Sequence, residues 1–289
     1  TNRIDTFTIY EKDIKAISID GTNSLVGIKN ESRNIDDWIY ILQNSESYLD
    51  QTKAIKKLAI HRDQKKVKDA YFEALDSKND RIVRATIRKI DKKWLNNSSK
   101  WNQKLNEIIQ SNRKGLARAK AIEKLSEGKN AKEFEPAIMK ALSDSSYKVE
   151  NAALTFMSKQ NPDEAYRLAK TRIGVSNFSL LNNTFEIIAL KHNKEDETLF
   201  QKGKQRAKGY NRIAIYLNYG IYIAEKDFKE IDNHILDFEK LLKSDNMTDV
   251  YCSKSALKML KSELVKRDTK KAKKRGKRIE NILDENLKK

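Results

Sequence analysis

Proline and cysteine are almost absent from this chain, with two prolines and one cysteine in 289 residues. A single cysteine, Cys252, excludes an internal disulfide framework and a multi-cysteine zinc site. Glycine is scarce as well, at nine residues, and no two are clustered. Gly115 and Gly128 stand singly at breaks in the helical pattern, so no Gly-rich phosphate loop is present. No run of about 18 apolar residues occurs, which excludes a membrane-spanning helix. The chain opens on Thr1 with a polar segment that is unlike a signal peptide, and it reads as a piece of a longer protein.

What remains is rich in Lys, Glu, Leu, Ile and Ala. Straight-chain side chains of this kind lose little rotamer freedom in a helix, and the long stretches without proline leave helices uninterrupted. The expected fold is mainly α. The first thirty or so residues differ: Phe7-Thr8-Ile9-Tyr10, Ile14 to Ile19 and Leu25 to Ile28 are short and rich in β-branched and aromatic residues. Asp20-Gly21-Thr22-Asn23 supplies turn chemistry between the last two. These read as two or three strands, too few for a stable sheet alone. The expected organisation is a β-strand segment over 1–33, a helical-repeat solenoid over 34–265, and a basic helix over 266–289 closing the array.

The helical part repeats itself at roughly 32–35 residues, within the range of helix-pair repeats. Ala54-Ile55-x-x-Leu58 is echoed by Thr86-Ile87-x-x-Ile90, Ala121-Ile122-x-x-Leu125 and Ala153-Leu154-x-x-Met157. Fainter copies lie at Ile187 to Leu190 and at Ala256-Leu257-x-x-Leu260. Ala70, Ala74 and Leu75 reappear as Ala137, Ala141 and Leu142, at the same interval that separates Ala54 from Ala121. Alanine at such points lets neighbouring helices approach while Ile and Leu fill the space between them. Asn161-Pro162-Asp163-Glu164 has the order of a helix start, with a capping side chain, an N1 proline and an N3 carboxylate. The pattern predicts an α-α superhelix of HEAT-like helix-pair repeats.

Net charge is +18, from 59 Lys and Arg against 41 Asp and Glu. Residues 266–278 hold a dense share of it: Lys266, Arg267, Lys270, Lys271, Lys273, Lys274, Arg275, Lys277 and Arg278, with Asp268 the one acid. This basic patch either neutralises phosphates of a nucleic acid with steep salt dependence or is a solvated terminal helix.

Catalytic constellations are hard to assemble. His61, His192 and His234 are far apart and never paired at i, i+4, so structural or exposed histidine is the default over a metal site. Cys252 on a helix reads as a small buried thiol, and Lys254 at i+2 points to another face. Trp94 and Trp101, beside Lys92, Lys93 and Lys100, either stack on bases or cap the core between repeats. Tyr216, Tyr219 and Tyr222 at helical spacing read as an inward stripe, with Tyr210 nearby in the same segment. No catalytic or metal-binding residue is assigned.

The junction between the two regions carries a resemblance. Ile17-Ser18-Ile19-Asp20 followed by Leu25-Val26-Gly27-Ile28-Lys29 resembles the close of the small β-sandwich in aminopeptidase-N-like zinc metallopeptidases, the gluzincins. Trp38 with Ile39, Leu42 and Gln43, then Tyr48 and Asp50-Gln51-x-x-Ala54-Ile55-x-x-Leu58, looks like that family's entry into its C-terminal helical domain. A transcription-factor subunit of the TATA-binding-protein complex shares the arrangement. The resemblance implies a non-catalytic C-terminal region that covers a catalytic cleft and limits peptide access. Its partners would be the preceding catalytic domain, which would hold the zinc, and peptide on the solenoid's concave face. The family's His-Glu-x-x-His and Gly-x-Met-Glu-Asn motifs are absent, so no family catalytic residue is carried over and no cofactor is expected in this chain. Two alternatives stand beside this reading: a HEAT-like nucleic-acid binder similar to helical-repeat alkylpurine glycosylases, and a generic protein-binding scaffold. None of the three involves a membrane.

Overall fold

The computed structural model describes residues 31–285 together with Thr8, Tyr10 and Ile14. The strands expected within 7–10, 14–19 and 25–28 otherwise lie outside the described residues. Among the described residues the chain is all α: sixteen α-helices joined by turns, three of which are short 3-10 segments, and no strand. The chain divides into two compact units, Thr1–Asn130 and Ala131–Lys289.

The first unit is built from α1 (Ile35–Asn44), α2 (Tyr48–Leu58), α3 (Lys65–Ala74), α4 (Asp80–Ile87), α5 (Lys92–Asn97), α6 (Ser99–Gln110) and α7 (Gly115–Leu125). α1 pairs with α2, α3 with α4 and α6 with α7, while α5 leads into α6. The second helices stack in the order α2, α4, α7, and α1 lies beside α3.

The second unit holds α8 (Glu135–Ala141), α9 (Tyr147–Gln160), α10 (Pro162–Lys170), α11 (Phe178–Ala189), α12 (Glu197–Arg206), α13 (Asn211–Ile223), α14 (Phe228–Leu242), α15 (Met247–Lys266) and α16 (Lys270–Glu285). Successive pairs are α8/α9, α10/α11, α12/α13 and α14/α15. Their second helices form one layer, α9–α11–α13–α15, and α16 packs on both α14 and α15. Residue 265 lies inside α15, and α15 and α16 pack together in the second unit.

Local chemistry explains where the helices start. Asn34 forms a capping box with Asp37, and Ser47, Asn79, Asp91, Asn177 and Asn246 each accept from a first-turn amide. Asn161 caps α10 with Pro162 in its first turn, as its sequence predicts. The repeat signature marks the buried face. Ala54, Ile55 and Leu58 in α2, Ala121, Ile122 and Leu125 in α7, and Ala153, Leu154 and Met157 in α9 are all buried, as are Ala256, Leu257 and Leu260 in α15.

Two copies differ from the sequence reading. Leu190 is 60% exposed at the C-cap of α11, and the spacing is met instead by the buried Thr184, Phe185 and Ile188, two residues earlier. In α13 the small-residue place falls to Gly220: a Cβ on it would lie 2.3 Å from the carbonyl oxygen of Ala256. Glycine lets the α13 and α15 backbones meet, and the tyrosines around it disguise the copy.

Three arginines tie a helix pair to an earlier turn. Arg113 donates to the carbonyls of Ser77 (2.8 Å) and Leu75 (3.3 Å) and to Asp80 (3.0 Å). Arg172 reaches Leu142 O (3.0 Å) and Glu150 (2.9 Å) in the same manner. Arg267 donates to the carbonyls of Ala224 and Lys226. In each case a cation satisfies carbonyls left over where a helix ends.

Candidate functional site

The first unit carries a cleft of about 780 Å3 lined by Tyr48, Lys78, Asn79, Asp80, Arg81, Arg84, Lys114 and Leu116. Three helix starts place these side chains. Tyr48 is the first residue of α2, Asn79, Asp80 and Arg81 cap and open α4 with Arg84 in its last turn, and Lys114 and Leu116 open α7. The one acid is already engaged: Asp80 accepts from the Arg113 guanidinium (3.0 Å) and from the Lys114 backbone amide (3.1 Å). Lys78, Arg81, Arg84 and Lys114 form no ion pair among the described residues. Arg81 lies 5.6 Å from the centre of the Tyr48 ring. Leu116 is exposed, so the wall between the cations is part apolar.

The second unit gathers a different set. The Phe200 and Tyr219 rings sit 5.2 Å apart between α12 and α13, and Tyr222 stacks with Tyr219 and lies tilted 4.9 Å from Phe200. The Tyr219 hydroxyl donates to Glu197, whose second oxygen takes Lys226 at 3.1 Å. Burial raises the Glu197 carboxyl, yet these hydrogen bonds outweigh it and hold the group below its ordinary value. Lys204 on α12 lies with its ammonium 3.2 Å from the Tyr219 ring centre and 4.9 Å from that of Tyr216. Burial pushes its amine down to about 8, against a partial pull from Glu197 and Asp237. His234 meets Tyr219 edge-on at 5.4 Å, and burial lowers its imidazole.

The residues singled out in the sequence are distributed as follows. Of the nine in the basic patch, five are tied down within the second unit. Lys266 pairs with Glu263, Lys273 with Asp268, Arg275 with Asp232 through both guanidinium arms, Arg278 with Asp232 and Glu239, and Arg267 with backbone carbonyls. Lys270, Lys271, Lys274 and Lys277 are exposed on α16. Ala272, Gly276, Ile279 and Ile282 form its buried face, so this helix is part of the packed core. Trp94 and Trp101 are buried 4.9 Å apart and are closed to a stacking base. Tyr216, Tyr219 and Tyr222 are buried as the inward stripe, and Tyr210 is exposed. Cys252 is buried, which pushes its thiol up to about 11.

No three His, Cys, Asp or Glu residues gather where they could hold a metal ion among the described residues. No described helix is long and apolar enough to cross a membrane. The cleft of the first unit is absent from the sequence reading, although a signal for it exists. Arg81 and Arg84 stand at i and i+3 on one helix, and Lys114 follows Asp80 by one repeat length. Lys204 carries no comparable mark, because its environment is made by residues from three helices. Sequence comparison finds no matching family model and no matching curated protein.

Proposed function

We propose that this chain is the non-catalytic helical-repeat region of an aminopeptidase-N-like zinc metallopeptidase, built of HEAT-like repeats. The observation that carries the reading is the way the junction residues pack. The segment before α1 is fastened to the first helix pair: Glu31 accepts from Lys53 (2.6 Å) and from Arg33 (3.1 Å). Arg33 and Lys53 also lie 5.4 Å and 6.0 Å from the Trp38 ring, which is buried against α2. Gln51 reaches back to the Leu42 carbonyl at 3.1 Å. Trp38, Leu42, Gln51, Ala54, Ile55 and Leu58 thus form one built corner at the head of the repeats, in the order that resembles the family's entry into its helical domain. In this reading the repeats cover the cleft of a preceding catalytic domain and exclude water and long peptides from it. The chemistry belongs to that domain, which would hold the zinc.

The coding sequence upstream of Thr1 tests the reading directly. His-Glu-x-x-His with a downstream Glu is the expected finding, and a start codon immediately before Thr1 overturns it. The purified chain should also release no product from an aminoacyl anilide, with or without added zinc. Metal-dependent turnover by this chain alone rules the reading out. Pairing of Lys266, Lys273, Arg275 and Arg278 with carboxylates weakens a nucleic-acid function based on that patch, since paired side chains release fewer counterions.

A further inference from the structure

We propose that the cleft between the starts of α2, α4 and α7 is a binding site for a nucleotide-sized organic phosphate. The inference stands apart from the aminopeptidase reading and rests on the cleft alone. Four cations line it against a single carboxylate, and that carboxylate is held by Arg113 and by a backbone amide. An excess of this size suits a group that carries two or three negative charges. A lone carboxylate, with one charge, would leave most of it unmatched.

The backbone points the same way. Lys114 is the N-cap of α7 and makes no side-chain cap, while its own carbonyl takes the Ala117 and Arg118 amides. The amides of Gly115 and Leu116, at the positive end of the helix, have no partner among the described residues. Phosphate oxygens are the usual occupants of such an end when cations stand beside it. Arg81 and Arg84 add planar forks that match two oxygens at once.

Size and wall chemistry separate an organic phosphate from the free ion. A volume of about 780 Å3 is far larger than one phosphate needs and falls in the range of small-molecule sites. The Tyr48 ring and the exposed Leu116 side chain offer an apolar surface for the body of the ligand. Arg81 over the Tyr48 ring extends that surface into a stacking platform.

The test is calorimetric titration of the whole chain with ADP, with inorganic pyrophosphate and with an acidic Asp/Glu peptide at low salt. The expected result is saturable binding of ADP that is tighter than that of pyrophosphate. Arg81→Gln with Arg84→Gln should weaken ADP by roughly tenfold or more, because two charge-assisted hydrogen-bond donors are removed. Lys274→Gln on α16 should leave it unchanged. Unchanged thermal melting of the double variant shows that its fold is intact. Four outcomes overturn the proposal: no saturable ADP binding at millimolar concentration, binding insensitive to Arg81 and Arg84, pyrophosphate matching or exceeding ADP, or the peptide binding tighter than ADP through the same arginines. The third assigns the cleft to inorganic anions and the last to a protein partner.

Discussion

Lys204→Met should make the second unit more stable at neutral pH, although it removes the amine from between two tyrosines. The amine's fall from 10.5 to about 8 means that charging it in the folded chain is disfavoured by about 3 kcal/mol. Attraction to the Tyr219 and Tyr216 rings, 3.2 Å and 4.9 Å away, opposes that cost. The variant forgoes this attraction, and water has partial access to the half-buried ammonium, so the net gain at pH 7 is about 1–2 kcal/mol. The sign of the pH dependence is fixed by the direction of the shift. The folded-state value lies below the unfolded one, so the unfolded chain binds more protons between about pH 8 and 10.5. Below that window the native chain bears the full penalty. As pH rises through it, the wild type gains stability and the methionine variant does not. Urea unfolding of both proteins at pH 7, 9 and 10.5 reads this out, and other titrations cancel in the difference. The advantage of the variant should shrink steadily towards the highest pH. A variant less stable by more than about 1 kcal/mol at pH 7 refutes the reasoning, as does a difference that stays flat with pH.

Two glycine substitutions should act in opposite directions in the same unit. Gly220→Ala sets a methyl 2.3 Å from the Ala256 carbonyl oxygen and forces α13 from α15, at a cost of about 1–3 kcal/mol in urea unfolding. Gly276→Ala meets nothing within 4 Å and should stabilise α16 by about 0.5–1 kcal/mol; equal effects at the two sites contradict the packing described. Cys252 should resist an aromatic disulfide reagent at pH 8 in the native chain and react fully in urea, since its thiol is buried and pushed up to about 11. Fast native labelling would place it at the surface. Ala121→Arg should lower the melting temperature sharply, because it drives a charge into the packed face of α7; an unchanged transition contradicts the repeat register.

Much of the fold is legible because it is written in one recurring face. Ala54, Ala121, Ala153 and Ala256 all fall on the buried side of a second helix, and the caps at Asn79 and Asn161 mark starts that local chemistry alone decides. The pattern misleads where a copy departs from that face. At α11 the apolar run continues past the last packed turn, so Leu190 imitates a core position. At α13 the close backbone approach needs glycine, and Gly220 is not an apolar letter. The cleft is harder to see because charge in a sequence does not show which side chains are already paired. In the densest basic run Lys266, Lys273, Arg275 and Arg278 are paired with Glu263, Asp268, Asp232 and Glu239, whereas Lys78, Arg81, Arg84 and Lys114, from two places in the sequence, meet no acid of their own among the described residues.

The arginines that plug carbonyls at helix ends bear on how the chain comes apart. Arg172 joins the α10/α11 pair to the end of α8, and Arg267 joins the end of α15 to that of α13. In a repeat array, stability is a sum of weak intrinsic terms and nearest-neighbour couplings, and the couplings decide whether melting is all-or-none. A residue that fills one repeat's vacancies from its neighbour adds mainly to the coupling. Replacing it should split a single transition into steps while changing the total heat of unfolding little.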